Sequence, residues 1–292
     1  MTLPETNRDK LVMLAVLGEI TPTRMRAPYR VSAEGEPMVL PAYGTITYNV
    51  RIGQPALEWV GDHIEPGVSI KTGDSAPNNA LRTLSCVGNE ARVVSGEAKG
   101  ACGRVTGSHA GVEHVLVDFA PDVLDKLAVG DKIQVKAWGQ GMKFTDPELA
   151  NVKIMNCDPR LFEQLVSQVE PGLIEVPVAA EIPSACMGSG IGEPSAEGGD
   201  LDIQTSEPEF RRWLAEEVQL RLGDLVLIKD YDCRWGFGGL RGAWAVGVVI
   251  HCDSIYAGHG PGVRVLLTSK DPNHLRVRLT KEANIVEMIY RY

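Results

Sequence analysis

Along most of the chain hydrophobic and polar positions alternate with a period of two, and sustained helical periodicity is scarce. Thr45-Ile46-Thr47-Tyr48-Asn49-Val50 and Lys132-Ile133-Gln134-Val135-Lys136-Ala137-Trp138 alternate as half-buried strands do. Residues 115–117, 225–228 and 243–250 are short apolar runs of the kind that fill buried strands, and 263–268 continues the sheet. Gly53, Pro55, Gly61, Pro66 and Gly67 punctuate the first half as turns. Four stretches read as helical. Residues 8–18 carry a partial stripe, Leu11, Leu14 and Val16 or Leu17, ending at Gly18. Residues 121–127 make a turn or two, and 158–168 have Asp158 as cap and Pro159 at the first helical position. In 207–222, Phe210, Trp213, Leu214, Val218 and Leu222 share a face that Gly223 closes. Residues 285–290 fit a last strand or a short helix. The expected fold is α+β and β-dominated: two lobes of short-stranded, partly barrel-like sheet with a few flanking helices. The lobes span 1–170 and 171–292, the second holding a glycine-rich loop at 187–202 and the helix 207–222.

Composition narrows the function classes. The 292 residues include 31 Gly and 18 Pro, so the chain is rich in turns. With 29 Lys+Arg against 38 Asp+Glu its formal charge is −9, which argues against a nucleic-acid binder. The longest apolar run, 243–250, is eight residues, far short of the roughly 20 of a membrane helix. No secretory leader is evident at the N-terminus, and the six cysteines form no C-x-x-C pair. A cytoplasmic protein with reduced thiols is expected. Its expected partners are a small polar molecule and further copies of itself, with no nucleic acid and no membrane.

Three segments share a shape: a histidine on a glycine-containing turn just before an apolar β segment. They are His63 with Gly67 and Val68, His109 and His114 around Gly111, and His259 with Gly260 and Gly262. Such turns, gathered at one end of a sheet, would surround a ligand. Gly61-Asp62-His63-Ile64-Glu65-Pro66-Gly67 adds two acids to one imidazole, donors suited to zinc or a similar divalent ion. The alternative is a turn in which Asp62 caps backbone N–H groups. His63, His109, His114 and His259 are the expected metal ligands, zinc first, with manganese, nickel or iron as alternatives. Glu65 or Glu97 would serve as general base and Lys99 would hold an oxyanion. The segment 186–204 reads either as a linker between lobes or as a loop over the site. On the second reading Ser189, Asp200, Asp202 and His251 would face substrate. No phosphate-binding or dinucleotide-binding glycine motif is present.

Gly44-Thr-Ile-Thr-Tyr-Asn-Val50, Gly61–Ser69, Gly88-Asn-Glu-Ala91, Ser95–Gly100, Met187-Gly-Ser-Gly190, Gly199-Asp-Leu-Asp202 and Ala257–Val263 together resemble a bacterial and archaeal family catalogued only as a domain of unknown function. The resemblance spans nearly the whole chain. A weaker one is to the acetamidase/formamidase family of metal-dependent amide hydrolases. It is carried by Gly198-Gly199-Asp200-Leu201-Asp202 followed by Gly258-His259-Gly260. Asp200 stands where that family has Asn, and the family's Gly-Asp-x-His…Gly-Asp-Gly-Glu run has no counterpart here. That resemblance implies metal-dependent hydrolysis of a C–N bond in a small amide or cyclic amide. The competing expectations are a metal-free lyase or isomerase using histidine acid–base chemistry, and a non-enzymatic binding or assembly protein.

Overall fold

The computed structural model describes residues 2–25, 27–192 and 195–292; Glu193 and Pro194 of the glycine-rich loop lie outside the described residues. Six antiparallel strands close on themselves: β1 (Leu14–Ile20), β2 (Gly67–Lys71), β3 (Glu90–Val93), β4 (Cys102–His109), β5 (His114–Asp118) and β6 (Lys132–Ala137). Their order is β1-β6-β3-β4-β5-β2, and β2 pairs again with β1 through Glu19–Lys71 and Ile20–Ile70. Closure removes the exposed edges that an open sheet would present. On β6, Ile133, Val135 and Ala137 point inward while Lys132 and Lys136 face solvent, the pattern its alternation predicts. The barrel core is small and branched: Val68, Ile70, Val105, Val115, Val117, Ile133 and Val135.

The helix expected over 8–18 is not formed. A 3-10 turn at Arg8–Lys10 precedes strand β1. Val16, Gly18 and Ile20 face inward with period two while Leu14 and Leu17 are exposed, so the apparent helical stripe forms no buried face. A Cβ on Gly18 would lie 2.9 Å from Leu81 and 3.1 Å from Ile70. That glycine admits close packing across the barrel and ends no helix.

The second sheet holds β7 (Lys153–Ile154), β8 (Ala180–Pro183), β9 (Leu201–Asp202), β10 (Leu225–Asp232), β11 (Gly238–His251) and β12 (Gly262–Ser269). The order is β7-β12-β11-β10-β8, with β9 pairing onto β12. β12 is buried throughout, as its apolar run requires. A third, three-stranded sheet joins Ser167–Glu170, Leu173–Val178 and Leu275–Leu279. The expected helix over 207–222 is α-helical only at Pro208–Arg212. It then widens into a π-helix at Trp213–Val218 and stops at Gln219, whose φ is 55°. Residues 220–222 run back to hydrogen-bond residues 54–56, so Gly223 does not close it. No helix among the described residues is long and apolar enough to cross a membrane. The barrel and the second sheet meet where β4 crosses β11: a Cβ on Gly107 would lie 2.5 Å from Ile250. That contact fixes the ends of both strands beside each other.

Candidate metal centre

Strand ends and three stitched loops gather the histidines at this junction. His109 ends β4 and His114 opens β5 as register partners across the turn through Gly111 (φ 74°). His63 precedes β2 with φ 51°, an uncommon backbone for a non-glycine residue. It is held there because its N–H donates to the Asp253 carbonyl (3.0 Å) while the Cys252 N–H donates to the Ile64 carbonyl (2.9 Å). His251 ends β11, and His259 lies in the loop leading to β12. The glycine-rich loop is tied to that loop: Ile203 N–H donates to the Pro261 carbonyl (2.9 Å) and Thr205 N–H to the His259 carbonyl (3.1 Å). A Cβ on Gly260 would sit 1.9 Å from the Ile203 carbonyl, so the approach needs glycine.

Four imidazoles result in mutual contact. Ring centroids are 4.2 Å apart for His109 and His251, 5.0 Å for His63 and His259, 5.3 Å for His63 and His251, and 5.7 Å for His63 and His109. Two carboxylates complete the cluster. Asp202 Oδ2 is 3.0 Å from His259 Nδ1 and 3.7 Å from His63 Nε2, and its Oδ1 is 3.6 Å from His251 Nε2. Asp200 Oδ1 accepts the Ala110 N–H (2.7 Å), which turns Oδ2 to 3.1 Å from His251 Nε2. The two form a buried ion-pair contact, and neither atom makes a hydrogen bond of good geometry. A buried polar atom without a hydrogen bond costs on the order of 1–3 kcal/mol, which the attraction between these two partly offsets. They sit where a cation would satisfy both.

Carboxylates and carbonyls orient the rings from behind. His63 Nδ1 is 2.9 Å from Asp62 Oδ1, His109 Nδ1 is 2.5 Å from Glu65 Oε1, and His251 Nδ1 is 2.9 Å from the Cys252 carbonyl. With each Nδ1 so engaged, the Nε2 atoms of the three rings face inward, the orientation of metal-binding histidines. Asp62 is also held by the Ser254 hydroxyl (2.7 Å) and by Arg30 (2.8 Å), whose guanidinium lies over the rings of Tyr43 and Tyr256. Burial alone would raise the Glu65 carboxyl, but His114 and His109 hold it well below the ordinary carboxylate range. Burial would likewise raise Asp202, and the facing rings of His251, His259 and His63 reverse that and hold it well below the ordinary carboxylate range. For His109 burial wins, with His251 adding to it, and the ring favours its neutral form. The cluster opens into a cavity of about 380 Å³ also lined by Arg30, Tyr43, Ser189 and Tyr256.

The comparisons with known proteins bear on the whole chain. Residues 29–163 match the family described as Domain of unknown function (DUF4438), N-terminal, and residues 163–289 match its C-terminal counterpart. The chain belongs to the DUF4438 family. The chain is also similar to the crystal structure of TM1086, with 48% sequence identity and a TM-score of 0.91 over 98% of this chain and 99% of that one. No curated protein matches the chain.

Among the residues expected from sequence, this DUF4438 chain brings His63, His109 and His259 together, and adds Asp200, Asp202 and His251 to the same cluster. Ser189 lines the cavity. His114 stands behind Glu65, its Nδ1 2.9 Å from Oε2, outside both groups of converging donors. Glu65 is fully engaged: its oxygens accept from Gly44 N–H (2.8 Å), the Ser69 hydroxyl (2.5 Å), His109 and His114. It orients histidines and has no lone pair turned to the cavity. Glu97 and Lys99 are exposed on the turn before β4, at the end opposite His109. Eight strand residues put them roughly 23 Å from the cluster. Arg30, Tyr43 and Tyr256 carry no local motif, so only the fold reveals them.

Proposed function

We propose that the protein is a metal-dependent hydrolase that cleaves a C–N bond of a small amide or cyclic amide. One observation carries the reading: the buried His251 Nε2 and Asp200 Oδ2, 3.1 Å apart and without a hydrogen bond, stand within a wall of oriented imidazoles that opens to a cavity of small-molecule size. Neutral imidazole nitrogens and carboxylate oxygens are the donors zinc, manganese, iron and nickel accept. A divalent ion at these donors supplies a Lewis acid for the amide carbonyl and lowers the pKa of water toward ~7. The chain's own part is to hold the donors without reorganisation, through Asp62, Glu65 and the Cys252 carbonyl. Arg30, stacked between two tyrosines, offers N–H donors to a substrate oxygen at the cavity wall. A panel of amides and cyclic amides, followed by release of ammonia or amine, tests the reading. Turnover is expected in metal-loaded protein, is lost on chelation, returns on adding metal, and is absent in His109→Ala. Turnover insensitive to chelation would instead support metal-free acid–base chemistry, as a lyase or isomerase.

A further inference from the structure

The geometry points to two adjacent cation sites that share Asp202 as a bridging carboxylate, an inference that rests on the metal-dependent reading above. The cluster divides into two groups of three donors, His63, Asp202 and His259 in one, and His109, Asp200 and His251 in the other; within each group the donor atoms lie within 4.8 Å of one another. Four ligands at about 2.1 Å in a tetrahedron are roughly 3.4 Å apart. In the first group the separations are 3.0, 3.1 and 3.7 Å. In the second, His251 Nε2 and Asp200 Oδ2 are 3.1 Å apart. One ion cannot take all six donors in that geometry. Each group supplies three, the number typical of a site that keeps an open position for water or substrate.

Asp202 joins the two groups. Its Oδ2 faces His259 and His63, while its Oδ1 faces His251 at 3.6 Å. A carboxylate with one oxygen turned to each group is the bridge that holds paired ions about 3.5–4 Å apart in two-metal hydrolytic sites. The outer partners are also separate. Asp62 orients His63, whereas Glu65 and the Cys252 carbonyl orient His109 and His251. Gly262 guards the second group: a Cβ there would lie 2.1 Å from His251 Nε2 and 2.4 Å from Asp200 Oδ2. Any side chain at 262 would take the space beside these two buried donor atoms.

The test uses the full chain and manganese alone. The protein is stripped with chelator, reloaded with Mn²⁺, and read by elemental analysis and electron paramagnetic resonance. Two ions per chain with an exchange-coupled spectrum are expected. Asp202→Asn should abolish the coupling, and His109→Ala and His259→Ala should each lower the content below two. One ion per chain, or two ions giving isolated six-line spectra, overturns the bridged pair and leaves the hydrolase reading standing. No bound ion overturns both. The wild-type spectrum decides the matter even if a variant fails to fold.

Discussion

Glu65→Gln perturbs the centre without replacing a proposed ligand. The carboxylate is buried and accepts from Gly44 N–H, the Ser69 hydroxyl, His109 and His114, and no oxygen is exposed. Glutamine keeps the shape but replaces one oxygen by an NH2 group, which meets a donor wherever it points. Removing one partner of a buried charged network costs about 3–5 kcal/mol. Because the amide oxygen still accepts on one side, the lower figure, ~3 kcal/mol, is expected. At roughly 2–4 °C per kcal/mol for a chain of this size, the midpoint falls by about 6–12 °C. If His109 changes tautomer to spare the clash, its Nε2 gains the proton and is lost as a metal donor. Affinity for zinc then drops by about 10–100-fold, as for other second-sphere changes. Thermal unfolding in chelator measures the first effect and calorimetric zinc titration the second. A variant that melts within about 2 °C of wild type and binds zinc equally well would refute the assignment of Glu65 as the group that orients these rings.

Four further outcomes follow from the structure. Gly262→Ala, whose Cβ would lie 2.1 Å from His251 Nε2, should lose metal, read by elemental analysis of the purified variant, while the rest of the fold is kept, read by circular dichroism. Glu97→Ala and Lys99→Ala, on an exposed turn, should change stability by less than about 0.5 kcal/mol and leave metal content at the wild-type level. Cys102 is exposed, Cys186 partly so, and the other four thiols are buried, so a thiol reagent should label Cys102 fast, Cys186 slowly and the rest only on unfolding. Burial pushes the Cys86 thiol up to about 12 from 9.0, and raises Cys157, Cys233 and Cys252 as well. Unfolded thiols lose their protons first, so this stability is full below about pH 8.5 and is lost as pH rises towards 12, by ~1.4 kcal/mol per pH unit for each thiol. Urea midpoints that stay level from pH 8 to 10.5 would contradict it.

How far the sequence alone reaches differs between elements. Strands β6, β10, β11 and β12 were readable because one or both faces are buried, and period-two or continuous apolar runs record that burial. Asp158 announced the helix Pro159–Leu165 through a local cap, its side chain accepting the Arg160 N–H. Strand β1 was misread because Gly18, needed for close packing against Ile70 and Leu81, looks locally like a helix stop. The helix Ser75–Leu84 was missed because it buries only Asn78 and Leu81, too few positions for a stripe.

The candidate centre divides in the same way. Residue type and local turn chemistry show which histidines sit on glycine turns at strand ends, and so point to His63, His109, His114 and His259 as donors, of which His114 lies outside both groups of converging donors. Which of them meet was decided by contacts distant in sequence. Closure of the barrel and the crossing of β4 over β11 bring His109 to 4.2 Å from His251, and backbone bonds between loops set His63 beside His259. The surroundings of Glu65, Asp200 and Asp202 are likewise decided there. A carboxylate's role depends on which donors surround it, and for Glu65 these come from positions 44, 69, 109 and 114. Separation along the chain carries no record of such neighbours; only the packed barrel and sheet do.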